Sequence, residues 1–468
     1  MPDKKRVAII GGGITGLAAA FKLEQAKGHQ AITYDLFEKD TKLGGKIKTY
    51  HRDGFVIEGG PDSFLARKTS MSRLAREVGL GDELLANDTG QAYILKEDTL
   101  YPMPGGSVMG IPTELMPFAT TKLFSPLAKV RALGDFVLPR TVGRDDDISL
   151  GHFFRKRLGA GVVDDLIEPL LSGIYAGDLD KLSLKATFPQ FQQLEAKHGS
   201  LIKGLQATRG KQTTNKQETG KKKGMFLTFK RGLQSFSDAI ESKLDADSIH
   251  TGVTIQAINK ISDRYELTFA DGQTKTYDQV IITTPPHITA KILGAYDFFR
   301  YFDEMEASTV ATVALAFKKE AVHNPYEGTG FVVSKKSSYD ITACTWTHKK
   351  WRHSTPDGHV LLRSYVGRAN DSAIVHKSDE EIVSAVMRDL KTIMDINGDP
   401  MFYEVTRWKE SMPQYHVGHT FKIAKVREDV ARHLPGLHLA GAGLDGVGLP
   451  DCIDQGERAA ERVIQSVH

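Results

Sequence analysis

The sequence predicts an α/β chain, α+β overall, with a discontinuous α/β domain, a strand-rich domain and a helical insert. Three observations carry this. A strand–glycine turn–helix–strand unit opens the chain at residues 6–38, and α/β patterning returns at 224–285 and again near Leu437. A run of short apolar strands occupies 308–366. Between these regions, 101–140 is rich in proline and 149–206 has helical composition. The expected domains are therefore 1–85, 224–290 and 405–468; then 86–100 and 291–404; then the helical 101–208; with a flexible basic loop at 209–223. A chain of 468 residues exceeds one ordinary hydrophobic core, so several subdomains are expected.

In order along the chain, residues 7–10 are a short apolar strand ending in glycines, 17–26 a helix and 32–37 a second strand. Residues 123–138 have an amphipathic helical pattern. Residues 232–244 read as a helix, and 250–258, 265–269 and 276–283 as strands, with Asp271-Gly272 as a hairpin turn. Strands are expected at 309–317, 330–333, 341–346 and 360–366. A helix follows at 379–394, where Ser378 and Glu381 have capping-box spacing. A last strand near Leu437 leads into a terminal helix. No internal repeat is evident.

Composition bounds the function. Apolar residues are 40% and charged residues 25%, the mix of a soluble globular protein. Cys344 and Cys452 are far apart, so neither a disulfide framework nor a cysteine–metal site is expected, and the compartment is expected to be cytosolic. No signal-peptide h-region and no apolar run of spanning length is seen. Net charge is +3, of which 209–223 carries +5 and the rest −2. With no basic face elsewhere, no nucleic-acid partner is expected. His416 and His419 have ligand-like spacing but no third ligand, so no metal site is expected.

The chemistry begins at Gly11-Gly12-Gly13-Ile14-Thr15-Gly16. Gly11 permits the turn off the strand, Gly13 lets the backbone approach a pyrophosphate, and Gly16 lets helix and strand pack closely. The helix N-terminus then faces the phosphates with free N–H groups. Glu38, at the end of the second strand, suits both ribose hydroxyls and repels a 2′-phosphate. This is a Rossmann-like dinucleotide site. A second loop, Lys42-Leu43-Gly44-Gly45-Lys46, adds glycines flanked by cations, which a simple nicotinamide dehydrogenase does not need. Gly60-Pro61-Asp62-Ser63 forms a further turn.

With the closing segment at 437–456 (LHLAGAG…GVGLPDCIDQG), these motifs resemble the flavoproteins that include monoamine oxidases, carotenoid desaturases and protoporphyrinogen oxidases. The double-glycine motif departs from the usual pattern, with lysines in place of arginines; charge is kept and bidentate phosphate contact is weakened. The stretches at 59–64, 168–178, 328–331, 341–346 and 412–416 resemble the Gram-positive-type porphyrinogen oxidases. That resemblance spans nearly the whole chain and implies FAD as cofactor. It implies O2-dependent oxidation of coproporphyrinogen III, with protoporphyrinogen IX also accepted, removing six electrons and forming H2O2 in haem biosynthesis.

On the same resemblance, Gly11, Gly12, Gly13, Ile14, Thr15, Gly16, Glu38, Lys39, Gly45, Lys46, Gly60, Pro61, Asp62, Ser63 and the backbone of Val253 fall on FAD. Trp408 falls near the flavin, and Val447, Gly448 and Leu449 line its ring. Ile174, Phe331 and Tyr365 fall in the substrate pocket. Arg67 and Lys68 are candidates to hold a substrate carboxylate; a solvent-facing helix start explains the pair as well. No catalytic side chain is assigned, because flavin N5 takes the hydride. The apolar stretch at 101–140 fits either a subdomain covering the pocket or peripheral membrane contact, with transient contacts to other haem-pathway enzymes. An amine oxidase, a polyene desaturase and a non-catalytic flavin scaffold remain alternatives. A flavin-free nicotinamide dehydrogenase is disfavoured by the segment at 437–456.

Overall fold

A computed structural model describes residues 4–143, 146–214 and 225–466. The chain divides into two compact units. The first comprises residues 1–86, 225–306 and 420–468; the second comprises 87–224 and 307–419.

The first unit is built on a five-stranded parallel sheet. Its strand order is Ile249–Thr251, Ile32–Glu38, Lys5–Ile10, Gln279–Ile282 and Leu437–Leu439. Strands covered on both faces need no polar alternation, and Val7, Ala8, Ile9, Val280, Ile281 and Ile282 are all buried. The opening helix Ile14–Lys27 and the closing helix Leu449–Gln465 pack together. Gly456 makes this approach possible: a Cβ there would lie 2.2 Å from the Thr15 carbonyl oxygen. A three-stranded antiparallel sheet (Ile255–Ile261, Arg264–Phe269, Thr274–Tyr277) covers the other side, and Gly272 takes the left-handed turn at φ 82°.

The second unit holds a seven-stranded mixed sheet. Its order is Phe402–Pro413, Ala307–Lys318, His359–Val366, Ile341–Trp346, Gly330–Val333, Tyr93–Lys96 and Thr99–Pro102. The helix Asp379–Ile393 buries Ile382, Val386 and Leu390 in its core, and its capping box between Ser378 and Glu381 is formed. The helices Leu150–Leu158, Glu168–Tyr175, Pro189–His198 and Leu201–Thr214 belong to the same unit. Arg157, on the first of these, is fully buried; it donates to Asp135 at 2.6 Å and pairs with Glu195 at 3.3 Å.

Several sequence expectations change. Residues 123–138 are not one helix. Pro126 lacks an N–H and starts a new helix, Pro126–Leu133, capped by the Ser125 hydroxyl; a 3-10 turn follows at Gly134–Phe136. The expected loop at 209–223 starts later, because the helix continues to Thr214; 215–223 lie outside the described residues. Gly252, at φ 71°, splits the strand expected at 250–258. The strand Phe402–Pro413 lacked a clean alternation to announce it. Residues 405–419 fall in the second unit and 291–306 in the first, and the helical and strand-rich regions fall together in the second.

Candidate functional site

The glycine turn of the first unit is an anion cradle. A Cβ on Gly16 would sit 1.9 Å from the Gly11 carbonyl oxygen, so the helix can start this close to the strand only with glycine. At Gly13 the opposite holds: a Cβ would meet nothing within 4 Å, so the backbone faces open space. Gly13 caps the opening helix without a side-chain bond, and the first turn contains no acid. These N–H groups therefore favour a negative group. Thr283 secures the turn from the next strand, its hydroxyl donating to the carbonyls of Ile10 and Gly11 at 2.9 Å each. No sequence signal pointed to Thr283.

Glu38 has a second task besides the one expected. Its buried carboxylate accepts from the Gly12 N–H at 2.6 Å and from the Asp40 N–H at 3.0 Å. One bond on each oxygen leaves each with acceptor capacity for a ribose hydroxyl. The Val253 N–H donates to the Glu38 carbonyl at 2.9 Å, and Lys39 is exposed beside it. The second loop meets the first: the Gly44 N–H donates to Gly12 at 2.9 Å, and a Cβ on Gly45 would lie 3.1 Å from Gly13 Cα. Burial pushes the Lys46 ammonium below the usual lysine range. Open space at Gly13, two glycine loops in close contact and a buried cation fit a pyrophosphate.

Gly60, Pro61, Asp62 and Ser63 are half-buried and run into the short strand Phe64–Leu65, with the Ser63 hydroxyl donating to Asp62 at 2.6 Å. At the far end of the chain, Gly448 caps the closing helix without a side-chain bond, and Gly446, Val447, Gly448 and Leu449 are half-buried. Gln455 is buried and accepts from the Gly441 N–H at 3.1 Å, bracing the turn before that helix. Both chain ends thus present a helix N-terminus from the same unit.

The structure gives Lys68 a partner that the sequence did not suggest. Its ammonium donates to both carboxylate oxygens of Asp451, at 2.6 Å each, in the first turn of the closing helix. Nearby, the Ser70 hydroxyl donates to the Pro450 carbonyl at 3.1 Å. Lys68 therefore ties residues 68–70 to the closing helix. Arg67 is exposed and makes no side-chain ion pair among the described residues. The signal for Asp451 was present, since an acid in a first helical turn is favoured, but its partner lies 383 residues away.

In the second unit the four remaining residues separate. Phe331 is 3% exposed, faces Cys344 across the strand pair, and packs edge-on to Trp346 in the core. Tyr365 faces Ala343, so it projects from the opposite face of the sheet. Its hydroxyl accepts from Arg363 at 2.9 Å. Trp408 shares the face of Tyr365, because Thr312 pairs with both Tyr365 and Thr406, and Trp408 follows two residues on. Phe331 is thus a core residue here, whereas Tyr365 and Trp408 line one surface. Ile174 is 43% exposed on the helix Glu168–Tyr175. Cys344 and Cys452 are buried and free, and burial pushes their thiols up to about 12 and about 11. His419 stacks on Tyr415 with ring centroids 4.1 Å apart. Among the described residues no cluster of metal-ligating side chains is found.

The family pattern of the flavin-containing amine oxidoreductases matches residues 14–464. The chain belongs to this family. Its cofactor is therefore FAD, and it is an oxidoreductase. The chain is 50% identical over 458 residues to the coproporphyrinogen III oxidase of Bacillus subtilis, covering 97% of each. It is 47% identical to that of Staphylococcus aureus over 467 residues, covering 98% of this chain and 99% of the relative. A solved structure from Exiguobacterium sp. 255-15, provisionally named as a protoporphyrinogen oxidase, superposes with a TM-score of 0.89 at 39% identity and 99% coverage of both. Within this flavoprotein family, the glycine cradle and Glu38 are the groups that fit the adenosine diphosphate half of FAD.

Proposed function

We propose that the protein oxidises coproporphyrinogen III to coproporphyrin III with O2, accepts protoporphyrinogen IX as a related substrate, and acts in haem biosynthesis. The observation that carries this reading is near-full-length identity to two coproporphyrinogen III oxidases, on a chain whose opening glycine turn and Glu38 suit a dinucleotide. FAD, when bound, supplies the hydride acceptor and the reactivity with O2. The chain's own residues bind and orient. Glu38 fixes the first turn and accepts from the ribose. The helix ends at Gly13 and Gly448 offer N–H groups where negative charge rests. The Lys68–Asp451 pair holds the closing helix in place, and the sheet face of Tyr365 and Trp408 offers an aromatic surface for a flat substrate.

Among the described residues no helix is long and apolar enough to cross a membrane. A cytoplasmic protein with peripheral membrane contact fits the exposed Met116, Leu127, Val130 and Val137 around the two short helices Leu115–Thr120 and Pro126–Leu133. Leu127 is 82% and Val137 85% exposed. Such a face suits an enzyme that passes a sparingly soluble product to other pathway enzymes. The likeness to putrescine oxidase, at 16% identity and TM-score 0.70, concerns the fold. Turnover of copro- and protoporphyrinogen beside an amine substrate tests the proposal: porphyrin fluorescence is expected, and amine-dependent H2O2 without porphyrin would favour the amine oxidase reading.

A further inference from the structure

The second unit contains a cluster of charged side chains to which the sequence reading gave no role. At its centre is Glu168, the first residue of the helix Glu168–Tyr175, which follows a π-helical turn at Val163–Ile167. Such turns are rare and collect at functional sites. Glu168 is only 8% exposed, and its carboxyl makes no hydrogen bond or ion pair among the described residues. A buried acid without a partner is costly, and burial accordingly pushes its pKa up.

Two cations converge on this acid without touching it. Lys335 lies two residues beyond the strand Gly330–Val333, and Arg368 two residues beyond His359–Val366. The register places these strand ends at one end of the sheet, since Val332 faces Ala343 and Val366 faces Ile341. The helix Glu168–Tyr175 packs on that region. Lys335 and Arg368 both act on Glu168 electrostatically, yet neither closes to ion-pair distance, and neither side chain is paired elsewhere among the described residues. Arg368 is held by reciprocal backbone bonds with Asp371, at 2.8 and 3.2 Å. The neighbouring acids are already engaged. Asp178 accepts from Asn370 at 3.2 Å and from the Asp180 N–H at 3.0 Å, and Asp164 faces Arg155 at 3.4 Å and Lys336 at 3.8 Å.

Two cations with no side-chain partner among the described residues suit an anionic group that accepts from both. We propose that Lys335 and Arg368, above Glu168, form a binding site for a peripheral carboxylate of the substrate. The proposal rests on the porphyrinogen reading above, whose substrate carries such carboxylates at its rim. The carboxylate accepts from Arg368 and Lys335 by charge-assisted bonds. It also explains why Lys68, committed to Asp451, is not needed for this task.

The test uses the FAD-loaded full chain and coproporphyrin III as probe, with binding read by fluorescence quenching. Arg368→Gln and Lys335→Gln are each expected to raise the Kd by about tenfold. Arg368→Lys should retain most of the affinity. In turnover the loss should fall on KM more than on kcat. The tetramethyl ester of coproporphyrin, which lacks the charges, should bind wild type and variants alike. A double variant with full FAD content and a Kd within twofold of wild type overturns the proposal. If wild type turns over coproporphyrinogen in that case, the carboxylate site alone fails; if wild type neither binds coproporphyrin nor turns over coproporphyrinogen, the porphyrinogen reading fails with it.

Discussion

Replacing Glu38 by Gln probes the cradle with almost no change in shape. The carboxylate accepts from Gly12 at 2.6 Å and from Asp40 at 3.0 Å. Hydrogen bonds to a charged acceptor contribute about 1.5–3 kcal/mol each, and neutral ones about 0.5–1.5. In the amide, the single oxygen keeps one bond without charge assistance. The other N–H faces an NH2 group and loses its acceptor. The two losses together come to about 2–4 kcal/mol. If the turn must be ordered before FAD binds, that cost appears in affinity as a rise in Kd of about 30- to 800-fold. Titration of apoprotein with FAD, followed by flavin fluorescence, measures it directly. A change of less than threefold, with the variant folded, would refute the idea that Glu38 organises the cradle.

Four further outcomes follow from the structure. In a double-mutant cycle on FAD affinity, Lys68→Met and Asp451→Asn should couple by about 1 kcal/mol, as expected of a partly exposed pair; additivity within about 0.3 kcal/mol would show that the pair does not brace the closing helix. Gly456→Ala drives a methyl into the Thr15 carbonyl, so FAD content and Tm should both fall; an unchanged Tm contradicts the close helix contact. Burial pushes the His438 imidazole down to about 4, with its Nε2 3.0 Å from Gln279 Oε1. The unfolded chain, with a pKa near ~6.5, takes up that proton first, so stability is intact above pH ~6.5 and falls as pH drops toward 4, by at most about 3 kcal/mol. Denaturation midpoints for His438→Gln should fall less across that window than those of wild type, and an equal fall contradicts the assignment. Finally, wild type should co-sediment with vesicles containing anionic lipid, and Leu127→Glu with Val130→Glu should not; wild type that stays in the supernatant removes the membrane contact.

What the sequence made legible was local. The glycine spacing at residues 11–16, the acid at Glu38, the capping box at Ser378 and the Asp271-Gly272 turn each depend on neighbours within a few residues, and each recurs in the structure. What it hid was nonlocal. Lys68 looked like a free cation because Asp451 lies on the last helix. Phe331 and Tyr365 looked alike as pocket residues, but strand register sends them to opposite faces. The Glu168 cluster joins three segments far apart in the sequence, so only the fold brings Lys335 and Arg368 to one sheet end. Pro126 was visible, yet the amphipathic pattern ran through it and masked the break.

The most direct test of the central claim is turnover of coproporphyrinogen III by the purified protein, with porphyrin fluorescence and H2O2 followed together. The expected result is coproporphyrin III at a rate far above autoxidation, three molecules of H2O2 per porphyrin, loss of activity on removing FAD and recovery on restoring it. Flavin-loaded protein that forms no porphyrin above the autoxidation rate would contradict it.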